Sequence, residues 1–189
     1  MRKSVFISVV IPQIVLLLIS ITWITFFPKD NVIKFFKLDI LHITLGIVIG
    51  FLLAFAGYLF YLFAKKTKIF YATVELFEDM LSPNFIETTV IDAILISIIS
   101  GFCEEVFFRG LLAQKIGIIF SSIAFGLLHF PGVKFWIYGV WATCSGMLLC
   151  WLLNFTGSLF PPIATHAINN FIGLVLLINL AKERSSRKQ

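Results

Sequence analysis

Glu104 and Glu105 stand side by side at the end of a long apolar run, and Arg109 follows in the stretch GFCEEVFFRG. Two of the chain's three histidines, His129 and His166, lie in later apolar runs. Ionisable groups at bilayer depth are costly and mark functional or paired structural sites. On a helix, Glu105 and Arg109 are four residues apart with the acid first, the favourable order for a same-face ion pair. Glu104 is rotated from its neighbour by about 100° and is left available as a general base. Phe125 and His129 share a helix face by the same spacing, as do His166 and Asn170. Two donors from one face, an imidazole and an amide, suit a developing oxyanion.

The elements that must position these groups are membrane spans. The chain has 189 residues, 59% hydrophobic and 13% charged, with a mean hydropathy of +1.00, well outside the range of soluble domains. The expected fold is all-α, a polytopic transmembrane helical bundle of about six spans, up to eight helices with interfacial ones. The spans read as 5–27, 40–64, 85–114, 116–130, 135–153 and 158–181. The first is a retained span, not a cleaved signal, because Thr25-Phe26-Phe27-Pro28 offers no small-x-small cleavage site. Between spans two and three, Phe70, Val74, Phe77 and Leu81 recur at helical spacing, with Glu75, Glu78 and Asp79 on other faces. This pattern predicts an amphipathic interfacial helix, read as a solvated connector. Asn84 and Glu87 form the expected capping pair of the next helix. Pro161-Pro162 begins the last helix, and His42 is a packing residue. The expected organisation is 1–84 (two spans plus the interfacial helix), 85–181 (the site-bearing core) and 182–189 (a basic tail).

Ten basic residues, Arg2, Lys3, Lys65, Lys66, Lys68, Lys134, Lys182, Arg184, Arg187 and Lys188, fall on one side of the membrane against five on the other. The excess predicts cytoplasmic termini for a multi-pass integral membrane protein. Nucleic acid is not an expected partner. The three cysteines, Cys103, Cys144 and Cys150, lie inside spans and form no disulfide framework. Measured from a turn near Lys115, Glu104 and His129 lie about 16 and 21 Å deep, so one site is sterically reasonable. The loop count puts that site in the non-cytoplasmic half.

The stretches EEVFFRG, FGLLH and HAINN fit the patterns EExxxR, FxxxH and HxxxN. In order and spacing they resemble the CAAX protease and bacteriocin-processing (CPBP, or Abi) family of intramembrane proteases, over about residues 85–181. The resemblance implies a hydrolase that cuts a membrane-associated substrate, such as a prenylated tail or a peptide precursor, in a bilayer expected to be a prokaryotic plasma membrane. It implies that Glu104 activates water with help from His129, and that His166 and Asn170 bind the oxyanion. Glu105 and Arg109 would hold the site together, with Phe125 packed behind it. Zinc stays open as a cofactor, with Glu104, His129 and His166 as its ligands. A metal-free glutamate mechanism is preferred, since Asn170 suits an oxyanion better than a metal and no HExxH is present. The rival expectation is a non-catalytic membrane protein, either a peptide-binding immunity protein or a proton-coupled transporter.

Overall fold

The computed structural model describes residues 3–29 and 32–187, and among these there are helices and turns but no strand. Arg2 and Lys188, two of the residues used for orientation, lie outside the described residues. The helices are α1 (Lys3–Phe26), α2 (Ile40–Ala64), α3 (Tyr71–Glu75), α4 (Val90–Glu105), α5 (Ala113–Leu128), α6 (Trp136–Thr156) and α7 (Phe160–Ser186). Wider π turns continue α3 through Leu76–Leu81 and join α4 to α5 through Val106–Leu112.

The helix ends follow from local chemistry. Asp39 caps α2 by accepting from the amides of Leu41 and His42, at 2.9 and 3.2 Å. His42 thus belongs to the first turn of α2, its ring 3.7 Å from Asp39, and is not the packing residue expected. The cap of α4 is Thr89, whose hydroxyl accepts from the Asp92 amide while Asp92 accepts from the Thr89 amide. Asn84 instead donates to the Met80 carbonyl, because residues 82–85 still form a tight 3₁₀ turn. α6 stops at Gly157 in the left-handed conformation, φ 64°, where glycine carries no steric penalty. The proline pair lies in the first turn of α7.

Among the described residues, five helical segments are long and apolar enough to cross a membrane: Ile7–Phe26, Ile40–Ala64, Val90–Leu128, Val133–Thr156 and Phe160–Ser186. The expected third and fourth spans fall within one of these segments, Val90–Leu128. Gly117, at φ 82°, turns the chain back inside the segment Val90–Leu128. The returning limb packs on the outgoing one, with Ser121 Oγ donating to the Phe108 carbonyl at 2.9 Å. From Ile118 to Leu128 that limb is about 16 Å long, half the thickness of a hydrocarbon core. It is a short returning limb that ends at His129, the C-cap of α5.

α2 and α7 are held together by close backbone approach. A Cβ on Gly46 would stand 2.7 Å from Pro161 Cα, and one on Gly50 would stand 2.9 Å from the Thr165 carbonyl oxygen. Thr165 Oγ1 donates to the Gly46 carbonyl at 2.8 Å, deep in that interface. Small residues one turn apart do this work in membranes, where apolar side chains gain nothing by leaving lipid. Ile14, Leu18, Phe51, Phe55, Ile98 and Leu127 are exposed and form the surface that faces the bilayer.

The interfacial segment is not a solvated connector. Val74 and Leu76 are buried, and Phe77 and Leu81 pack against Ala93, Leu177 and Ile178. Its acids each pair with a different helix or turn: Glu75 with Lys134 at 2.5 Å, Glu78 with Lys65 at 2.8 Å, and Asp79 with Arg184 at 2.6 Å. Burial alone would push the Glu78 carboxyl up, but hydrogen bonds from Lys65 and Tyr61 outweigh it and hold the carboxyl below its ordinary value. The same Glu78 bond holds the Lys65 ammonium above its ordinary value. The expected basic tail begins as the last turns of α7, which runs to Ser186.

Candidate functional site

α4 brings Glu104 and Glu105 into the interior, where they are 6% and 0% exposed. Arg109, 1% exposed, sits in the π turn that follows, and its Nη1 donates to Glu105 Oε1 at 2.9 Å. Such single wide turns are frequent at functional sites. The guanidinium lies over the Phe125 ring, 4.3 Å from its centroid. The same ring stacks against His129, with centroids 4.4 Å apart, and meets His166 edge-on at 5.8 Å. Phe125 is the apolar floor shared by Arg109, His129 and His166.

The fold-back at Gly117 returns His129 to the depth of Glu104. His129 Nε2 is 3.7 Å from Glu104 Oε2, and His166 Nε2 approaches the same oxygen from α7 at 3.8 Å. α4 and α7 can come this close because position 101 is glycine: a Cβ there would meet the Ala167 amide at 3.1 Å. Each imidazole is fixed by its other nitrogen. His129 Nδ1 bonds the Phe125 carbonyl at 2.9 Å, and His166 Nδ1 bonds Glu105 Oε1 at 2.7 Å. Carbonyls and carboxylates only accept, so Nδ1 of each ring carries a proton and Nε2 is the nitrogen turned towards Glu104.

Asn170 lies one turn beyond His166. Its Nδ2 donates to Ser100 Oγ at 3.0 Å, which leaves the second amide hydrogen for another acceptor. Sequence reasoning named Asn170 and His166 but missed two of their companions. Ser100 was hidden among the apolar residues of α4. Gln13 of α1 donates from Nε2 to Glu104 Oε1 at 2.8 Å and is itself 8% exposed. A glutamine in the middle of an otherwise apolar span was the available signal.

These side chains line one wall of a cavity of about 500 Å³, which also touches Thr73, Phe77 and Leu81 of the interfacial segment, Tyr138 and Trp141. The cavity therefore runs towards the membrane face that carries Lys65, Lys134 and Arg184.

Zinc takes nitrogen and oxygen ligands at about 2.0–2.2 Å, which in a tetrahedron sets neighbouring ligand atoms roughly 3.3–3.6 Å apart. Here the separations from Glu104 are wider, 3.7 and 3.8 Å. Among the described residues no group of three or more His, Cys, Asp or Glu is arranged to hold a metal ion.

Residues 86–172 match the family model of the type II CAAX prenyl endopeptidase Rce1-like proteins. The uncharacterized protein YpbD of Bacillus subtilis is 32% identical over 84 residues, a match covering 44% of this chain and 44% of that relative. The match thus spans less than half of the curated relative. No solved structure matches the chain. The matched segment, residues 86–172 of 189, contains the α4 carboxylates, His129, His166 and Asn170.

Proposed function

Starting from the CAAX-type protease likeness of residues 86–172, we propose that this integral membrane protein is an endopeptidase that hydrolyses a peptide bond at the bilayer surface. The substrate is a membrane-associated peptide or a prenylated tail, with Glu104 as the general base. One observation carries the reading: Glu104 Oε2 is buried with no hydrogen-bond partner among the described residues, and two imidazole Nε2 atoms converge on it at the wall of a cavity.

In this reading a water between Glu104 and the histidines gives its proton to Glu104 Oε2, and its oxygen adds to the scissile carbonyl carbon. His129 Nε2 accepts from the same water and aligns it. The carbonyl electrons move to oxygen, and the oxyanion accepts from the free Asn170 amide hydrogen and from His166 Nε2 in the imidazolium form. Collapse breaks the C–N bond, and Glu104 returns its proton to the departing nitrogen. Glu105 and Arg109 do not touch the reacting atoms; they hold His166. No step passes through a metal. The positive-inside bias makes the face towards which the cavity runs the cytoplasmic one.

The test is cleavage of membrane-tethered and prenylated peptides by purified protein in bilayers, beside Glu104→Gln, with and without chelator. The reading expects turnover in chelator and a loss on the order of 10⁴-fold in the variant. Loss in chelator as well reinstates zinc. A well-folded wild type that binds the peptides without cutting them favours the non-catalytic rival.

A further inference from the structure

α1 lies outside the matched residues 86–172, yet it is inverted relative to an ordinary amphipathic helix. Its Ile11, Ile14, Val15 and Leu18 are exposed, while the two residues classed as buried along it, among those described, are Gln13 and Ser20. Ser20 spends its hydroxyl on its own helix, donating to the Leu16 carbonyl. Gln13 does not. Its Nε2 reaches α4 and donates to Glu104 Oε1, while its Oε1 is buried with no partner among the described residues. Nothing else on the page holds that amide, so its one strong bond is to the carboxylate.

A carboxylate on a glutamate arm turns about its last bond with little resistance, and either oxygen can face a neighbour. Glu104 is asymmetric here: Oε1 receives the Gln13 amide, and Oε2 faces both Nε2 atoms without a bond of its own. We propose that Gln13 is a positioning residue of the Glu104 base, fixing which oxygen is presented to the histidine pair. This rests on the reading of Glu104 as the base. α1 is then a working part of the site although the motif-bearing half of the chain lies elsewhere.

Gln13→Met keeps length and removes the donor. In the bilayer assay its kcat falls on the order of 10²-fold, the effect of losing one aligned donor, with KM within about twofold and an unchanged melting midpoint. Gln13→Asn, which keeps an amide one methylene shorter, recovers part of the loss. Difference infrared spectra supply a readout that needs no turnover: the carboxyl band assigned to Glu104 by its absence in Glu104→Gln shifts in Gln13→Met. A wild type that cuts nothing, together with a shifted band, sinks the protease reading and upholds the positioning contact. An unmoved band overturns the proposal, as does a Gln13→Met kcat within twofold of wild type. Parallel loss of kcat, KM and melting midpoint assigns Gln13 to structure alone and overturns it too.

Discussion

The molecule contains two clusters of paired acids and bases, and they differ in setting more than in chemistry. At the interfacial face, Glu75, Glu78 and Asp79 pair with Lys134, Lys65 and Arg184, and their side chains are 33 to 57% exposed. At the core, Glu105, Arg109 and His166 form a chain of bonds at 0 to 5% exposure. Water screens the first cluster, and each pair there is worth about 0–1 kcal/mol. In the second, nothing but the partners compensates each charge, and removing one leaves the others stranded. The outer cluster ties the interfacial segment to α2, α7 and the turn before α6, whereas the inner one sets the positions of a few atoms.

The comparison breaks first at Arg109. Arg109→Met strands Glu105, and the unfolding free energy drops by about 3–5 kcal/mol, read as a lowered melting midpoint in detergent or bilayers. An inner pair that melts like a surface pair would refute the distinction. Next, Glu105→Gln lowers both stability and activity, since Glu105 accepts from Arg109 and from His166, whereas Glu104→Gln loses activity and keeps its midpoint. Equal midpoints for the two glutamine variants would end that division of labour. At the face, Lys134→Gln costs about 0.2–1 kcal/mol, and the cost shrinks in high salt; a salt-independent penalty would mean this pair is buried in the bilayer-bound protein.

The smallest effect is pH dependence at Glu78. Its folded carboxyl titrates below the ordinary glutamate value of 4.5, so its contribution is fully present above that value and is lost as pH falls through the lower folded value. Lys65 runs in the opposite sense: raised from 10.5, its contribution is present below that pH and is lost as pH rises through the higher folded value. Melting midpoints of wild type and Glu78→Gln should converge in acid, and midpoints that stay parallel would exclude the linkage.

The helical membrane class was legible because apolar runs of span length admit little else, and the three motifs named six polar side chains that the fold brings together, Glu104, Glu105, Arg109, His129, His166 and Asn170. Three features were not legible. The short returning limb is indistinguishable by composition from a short full span, and only the backbone of Gly117 turns one into the other. The cap of α4 is Thr89 because residues 82–85 stay in a tight turn, and Asn84 with Glu87 has the same spacing signature as Thr89 with Asp92. Gln13 could not be linked to Glu104 from sequence, since no local spacing connects residues 91 apart. Periodicity reports which face a residue occupies, not which distant helix covers that face.

That separation of 91 residues also has a consequence in time. During synthesis α1 is made first, and at about 5–20 residues per second its partner on α4 follows roughly 5–18 s later. Until then Gln13 has no carboxylate to bond, and a polar amide is poorly accommodated among lipid chains. The first helix therefore has reason to linger at the insertion machinery until the fourth arrives, so the order of biogenesis is written into the same hydrogen bond that orients Glu104.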